Sequence, residues 1–162
     1  LLEKGNAPDA YRPTLFDFLA HNAIDFYASG AQAGNRQQDA FDLSAESPIF
    51  GSANDFIRWQ PKTDDESSLT LKAIKLYQQL MAFHEADSDP SAFLDNDLAR
   101  LSFGNNKAFG EEKSSRYKAA LVRFADEHTG SVISSRALND LATAIYNQGS
   151  GDAVKAHEVA ST

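Results

Sequence analysis

The stretch YRPTLFDFLAHNAIDFY, residues 11–27, sets His21 among carboxylates, with Asp17 before it and Asp25 after it. A histidine within reach of an acid is the start of a general-base dyad or of a metal site. At helical spacing His21 and Asp25 share a face one turn apart and can hydrogen-bond. A working site needs a third partner, and the neighbouring sequence supplies none, so the structural reading of His21 is preferred. The other histidines stand at 84, 128 and 157. None forms H-E-x-x-H, and His157 followed by Glu158 lacks the second imidazole. A metal-dependent helical enzyme using His21, His84 or His128 with nearby acids remains one function class to test.

The segment EADSDPSAFLDND gathers Glu85, Asp87, Asp89, Asp95 and Asp97 without a basic residue. A calcium loop counted from Asp87 needs Gly at its sixth position and Glu at its twelfth, where this chain has Ala92 and Leu98. The acids therefore read as helix caps and a solvated turn. Lys113, Arg116 and Arg123 line one helix face, which reads as solvated or as a contact for an acidic partner. Glycine patterns for phosphate or dinucleotide binding and the G-x-S-x-G nucleophile elbow are absent, as is any pair of acids marked as facing across a cleft. No catalytic residue, metal or cofactor is assigned.

Composition narrows the classes further. The 162 residues are 42% hydrophobic, enough for a substantial core, and the net charge is −8. An acidic surface is a poor match to nucleic acid or to an anionic membrane. No apolar run approaches the ~18 residues of a membrane-spanning helix. With no Cys there are no disulfides, thiol nucleophiles or Cys-based zinc sites, a lack compatible with an oxidising compartment. The chain begins Leu-Leu-Glu-Lys without Met, as an excised or processed piece would.

The elements that position these residues read as helices throughout. Residues 1–13 form an extended lead-in. Thr14 and Asp17 have capping-box spacing, and Leu15, Phe18, Leu19, Ala23 and Phe26 make the predicted core stripe of the first helix. Residues 31–62 form one long surface loop with a short helix near Ser52 and Asp55; Phe41, Leu43, Ile49 and Phe50 are apolar enough to dock on a core. In that loop Phe50, Phe56 and Trp59 are the candidate interaction surface, with Trp59 also the natural anchor of the loop. The next helix carries Leu69, Ala73, Leu76, Tyr77, Leu80 and Phe83 or His84, with Thr63 and Glu66 as its capping box. Asp89 and Pro90 then open a helix bearing Phe93, Leu94, Leu98 and Leu101, which Gly104 is expected to stop. A helix over roughly 111–128 buries Tyr117, Ala120, Leu121, Phe124 and Ala125 and closes on Gly130. Another near 133–147 buries Leu138, Leu141, Ala142, Ile145 and Tyr146, and residues 149–162 start a truncated hairpin.

Alternating β-branched runs are absent, so the expected fold is all-α: a single helical domain over 1–162, built as a helical hairpin array or tetratricopeptide-like α-solenoid with one long loop. In ALNDLATAIYNQGSGDAVKAHEVA, the small and large residues at Leu141, Ala142, Tyr146, Gly149, Ala153 and Ala160 imitate a tetratricopeptide hairpin. A half-hairpin leaves an apolar face uncovered, so the array is expected to continue in a longer chain.

The phrases YRPTLFDFLAHNAIDFY, DLSAESPIFGSANDFIRW, LKAIKLYQQLMAFHEADSDPSAFLDNDLARLSF and NNKAFGEEKSSRYKAALVRFADEH, taken in succession, resemble the N-terminal helical region of large bacterial alpha-2-macroglobulin-like proteins, especially those of Bacteroidetes. The resemblance covers most of residues 8–160. It implies a tetratricopeptide-like scaffold ahead of β-sandwich macroglobulin domains, in an exported, periplasmic or outer-envelope chain that traps proteases. Where that family is reactive it uses a Cys–Gln thioester, and this chain has no Cys, so no functional residue carries over.

The leading expectation is therefore a non-catalytic scaffold or interaction module of such a protein. Its partners would be other domains of the parent chain, envelope proteins or proteases. The alternative is a helical carbohydrate- or peptide-binding domain whose platform is Phe50, Phe56 and Trp59.

Overall fold

In a computed structural model, residues 8–29 and 41–147 are described. Parts of the lead-in and of the long loop, and the whole 149–162 hairpin, lie outside the described residues. The chain is helical: α1 is Leu15–Ala28, α2 Ala53–Arg58, α3 Leu69–His84, α4 Ser91–Lys107, α5 Lys113–Glu127 and α6 Val132–Asn147. Short 3-10 turns cover Asp9–Tyr11 and Pro48–Phe50. Among the described residues there is no strand, only an isolated parallel bridge between Ser44 and Phe109. Within the span read as one domain, the chain sorts into two compact units, Leu1–Phe41 with Gln60–Asp97 and Asp42–Trp59 with Leu98–Thr162. The division falls inside α4.

In the first unit α1 packs on α3. The start of α1 is the expected capping box: the Thr14 hydroxyl accepts from the Asp17 backbone N–H, and the Thr14 N–H donates to the Asp17 carboxylate at 2.9 Å. The rotation of α1 about its axis is not the expected one. Asp17, Ala20, His21 and Ile24 face inward, while Leu15, Leu19 and Phe26 are 61%, 57% and 47% exposed, and Phe18 is exposed as well. The predicted stripe is thus the outer face. Because α1 is apolar around most of its circumference, burying either side removes similar apolar area from water. A buried partner for Asp17, described below, selects the side. Leu19→Ala is accordingly expected to change unfolding free energy by less than about 0.5 kcal/mol. Ile24→Ala is expected to cost about 2–4 kcal/mol. Urea unfolding of the two variants checks the orientation, and the reverse order would restore the sequence-based stripe.

Helix α3 begins later than predicted. Its N-cap is Ser68, whose hydroxyl accepts from the Leu71 N–H, whereas the Thr63 hydroxyl accepts locally from Asp65. Leu71, Ile74, Tyr77, Leu80, Met81 and His84 are buried, and Phe83 is exposed with its ring edge-on to Phe16. The choice left open between Phe83 and His84 thus falls to His84.

In the second unit α5 packs on α6, and the Pro48–Phe50 turn packs against α2 and α5. The predicted inner face of α5 is the observed one, with Tyr117, Ala120, Leu121, Phe124 and Ala125 buried. In α6 the buried residues are Ile133, Ser134, Ala137 and Leu141, and Tyr146 is exposed, contrary to expectation. Residues 43–56 are less a loop over the surface than part of the core: Leu43, Ala45, Ile49, Phe50 and Phe56 are all buried. Backbone bonds from Ala45 N–H to Phe109 and from Phe109 N–H to Leu43 pin this segment beside the end of α4.

Gly104 does not end α4, which runs on to Lys107. Its role is close approach. A Cβ there would sit 2.6 Å from Ile49 Cγ1 and 3.0 Å from Phe50 Cε1. Gly104→Ala gains helix propensity but overpacks this contact, so a net loss of about 1–3 kcal/mol is expected in denaturant unfolding. A variant as stable as the parent would mean that the 49–50 turn yields freely.

Candidate functional site

The polar centre of the first unit joins the start of α1 to the end of α3. One Asp17 oxygen takes the Thr14 cap bonds, the hydroxyl donating at 2.6 Å. The other lies 2.7 Å from His84 Nε2, and His84 Nδ1 lies 2.6 Å from the Asp87 carboxylate. Asp17 and His84 are 0% and 1% exposed, while Asp87 is at the surface. A carboxylate oxygen lies against each ring nitrogen, an arrangement that favours the imidazolium, in which both nitrogens donate. Burial alone would push His84 down; the hydrogen bonds to Asp87 and Asp17 and their charges outweigh it and hold the ring above its ordinary value. Burial likewise pushes Asp17 up, and the bonds from Thr14 and His84, with the His84 charge, bring it below its ordinary value. An imidazolium has no lone pair for a metal, a proton or an electrophile. The Asp17–His84–Asp87 arrangement is therefore suited to holding two helices together.

His21 does not join it. The His21 ring is buried, as its structural reading requires, and Asp25, one turn on, is exposed. Burial pushes His21 down, as does the Arg12 charge, against the pull of Asp95, Asp17 and Asp25. Among the described residues, His21 Nε2 and Asn96 Oδ1 are buried without a hydrogen-bond partner. His128 caps the end of α5 with its ring 4.7 Å from Phe124. No group of three or more His, Cys, Asp or Glu converges as a metal site would require among the described residues.

The acidic segment is dispersed. Asp89 accepts from the Ser91 N–H at the start of α4, and Asp87 serves His84. Asp95 and Asp97 are buried on α4, where a solvated turn was expected.

In the second unit the aromatic platform read from the sequence is taken up by the core. Phe56 is fully buried and Phe50 nearly so, and only Trp59 is half-exposed. Phe50 leans on Tyr117 at 6.0 Å, and Phe56 lies 6.4 Å from Trp59 with the Arg100 guanidinium 4.9 Å from its ring centroid. Of the three rings, Phe50 and Phe56 are thus withdrawn from the surface. The reason is the 48–51 turn, which inserts its side chains into the core and leaves its carbonyls to be satisfied by arginines. Arg100, fully buried, donates to the carbonyls of Pro48, Ile49 and Gly51, and Arg123 donates to those of Phe50 and Gly51. Arg100 escaped the sequence reading. In sequence it is the one cation between Leu98 and Leu101, about a quarter turn off their stripe.

The cationic face expected on α5 is also divided: Arg116 pairs with Glu112 at 2.8 Å, and Arg123 is committed to the turn. Beside it a groove of ≈ 510 Å³ is bordered by Glu46, Pro48, Asp55, Arg116 and Arg123, with both charge signs on its walls. A second pocket of ≈ 220 Å³ is lined by Ser102, Asn105 and Asn106 of α4, Tyr117 of α5, and Asp140, Thr143, Ala144 and Asn147 of α6. It carries hydroxyls, carboxamides and one carboxylate. The remaining candidate surface is the outer face of α1, where Leu15, Phe18, Leu19 and Phe26 stand exposed beside Phe16 and Phe83. Single exposed apolar residues are ordinary; here four lie at helical spacing on one side of α1, with the exposed Asn22 among them.

No described helix is long and apolar enough to cross a membrane. Compared with protein-family models, with curated proteins and with solved structures, the chain matches none.

Proposed function

We propose that this chain is a non-catalytic helical interaction module of a larger exported alpha-2-macroglobulin-like protein of the bacterial envelope, docking through the outer face of α1 onto another domain of the same parent. The observation that carries the reading is the inverted burial of α1: its carboxylate and imidazole face inward, and Leu15, Phe18, Leu19 and Phe26 face outward. Covering these side chains would remove apolar surface from water at ~25 cal/mol per Å². The inward polar groups serve architecture. His84 and Asp17 hold α1 to α3, and Arg100 and Arg123 hold the 48–51 turn. The tetratricopeptide-like arrangement belongs to the same proposal, supported by the packing of α5 on α6 and by the repeat-like spacing that follows Leu141. Protease trapping would reside in the rest of the parent.

Hydrogen exchange of α1, measured in the isolated chain and in the parent protein, tests the docking. Protection of residues 15–26 appearing only in the parent is the expected result. Equal exchange in both would overturn it, as would sedimentation showing that the isolated chain covers this face by dimerising.

A further inference from the structure

From the pocket between α4, α5 and α6 we infer a binding site for a small, uncharged polyhydroxylated molecule, a single pyranose ring being the size and chemistry it fits. The site is independent of the α1 surface and of the aromatic platform lost to the core.

Its lining sets the ligand class. Asn105, Asn106 and Asn147 each bring a carboxamide, which donates and accepts at once, and Ser102 and Tyr117 bring hydroxyls. Asp140 brings the one carboxylate. Burial pushes that carboxyl above its ordinary value, with the charge of Arg136 acting the other way. It is thus partly withdrawn from water, and two adjacent hydroxyls of a sugar would return hydrogen bonds that water no longer supplies in full. Tyr117 is held in place: its buried ring leans on Phe50, and its phenol is hydrogen-bonded to the Ser102 side chain and feels the Asp140 charge. Burial is the main reason that phenol is pushed up, so it remains a neutral donor and acceptor at physiological pH.

The same lining rejects other classes. No Lys or Arg is among the lining residues and a carboxylate is, so phosphates and carboxylic acids find no cation on the pocket wall to pair with. Asp140 is the one carboxylate in the lining, and no group of three or more His, Cys, Asp or Glu converges among the described residues. A volume of ≈ 220 Å³ lies below the ~300–1,000 Å³ of drug-sized pockets and leaves room for one ring. The Thr143 hydroxyl is already committed to the Asn139 carbonyl at 2.9 Å, so recognition falls to the carboxamides, Asp140 and the Ser102–Tyr117 pair.

The test is amide NMR titration of the full chain with glucose, galactose and N-acetylglucosamine, each to about 50 mM, a range that detects dissociation constants of order millimolar. Sodium acetate, inorganic phosphate and tetramethylammonium chloride are run in parallel. Expected are saturable shifts confined to residues 102–106, 117 and 140–147 with at least one hexose and with none of the ions. Asp140→Ala and Asn106→Ala should each weaken that binding roughly tenfold, the loss of one good hydrogen bond. Asn106 is exposed, so its variant reads recognition without disturbing the core. Absence of saturable shifts with all three hexoses would overturn the inference. Shifts with tetramethylammonium alone would also do so, assigning the pocket to cations. Hexose binding unchanged in both variants would place the site elsewhere.

Discussion

His84→Ala will cost the first unit about 3–5 kcal/mol, because it strands the Asp17 carboxylate, 0% exposed, without the opposite charge 2.7 Å away. The loss is a desolvation effect more than a lost attraction, so replacing both partners tests it. Asp17→Asn together with His84→Gln should recover part of the loss, since no charge is then left buried. Urea unfolding reads both, and a single variant within about 0.5 kcal/mol of the parent would show that water or a rearranged neighbour satisfies Asp17 at little cost.

The pair also fixes a pH profile. His84 is held above its ordinary value of 6.5 in the folded state, so its contribution is complete below about 6.5 and is lost as pH rises through the higher folded value. Asp17 is held below its ordinary 3.8, so its contribution is complete above about 3.8 and is lost as pH falls through the lower folded value. Between those limits the pair's contribution is flat. His84→Ala should remove the alkaline decline while leaving acid unfolding by other carboxylates, and a parent stability that rises from pH 6 to pH 9 would contradict the imidazolium assignment.

Arg100→Ala is the second large expected effect, about 3–5 kcal/mol in the second unit, where it opens a cavity beside Phe56 and takes its donor from the Ile49 carbonyl, while the Pro48 carbonyl keeps the Gly51 N–H and the Gly51 carbonyl keeps Arg123. Two conservative variants separate the causes. Arg100→Met keeps much of the volume and loses every donor, while Arg100→Lys keeps a charge but cannot fork to several carbonyls at once. If donors matter most, Met falls close to Ala and Lys lies between Ala and the parent. A Met variant as stable as the parent would reduce Arg100 to a packing role.

These two residues show where the sequence stops speaking. Thr14 with Asp17 and Ser52 with its bond from Asp55 are local chemistry, so the corresponding helix starts were legible; Gly130 has the positive φ expected of it, but the cap of α5 falls two residues earlier, on His128. Helix α5 was legible in full because its polar and apolar faces are sharply divided, leaving one way to bury it. Helix α1 has no such division: the period named a stripe, and the structure buries the opposite side. In α3, Thr63 and Glu66 imitated a cap five residues before the true one, and nothing short of packing distinguishes two serviceable starts.

Sequence alone thus determined the all-α character, the starts of α1 and α2, the inner face of α5 and the absence of thiol chemistry, since each depends on residues within a few turns of one another or on composition. Tertiary structure decided which face of α1 looks inward, that Phe50 and Phe56 are core, that Gly104 is a contact point and that a polar pocket forms from three helices. The physical reason is separation along the chain. Asp17 meets His84 67 residues away, and Arg100 meets Gly51 49 residues away. Pairings of that range carry no period, and a buried charge pays for its desolvation only where its distant partner waits.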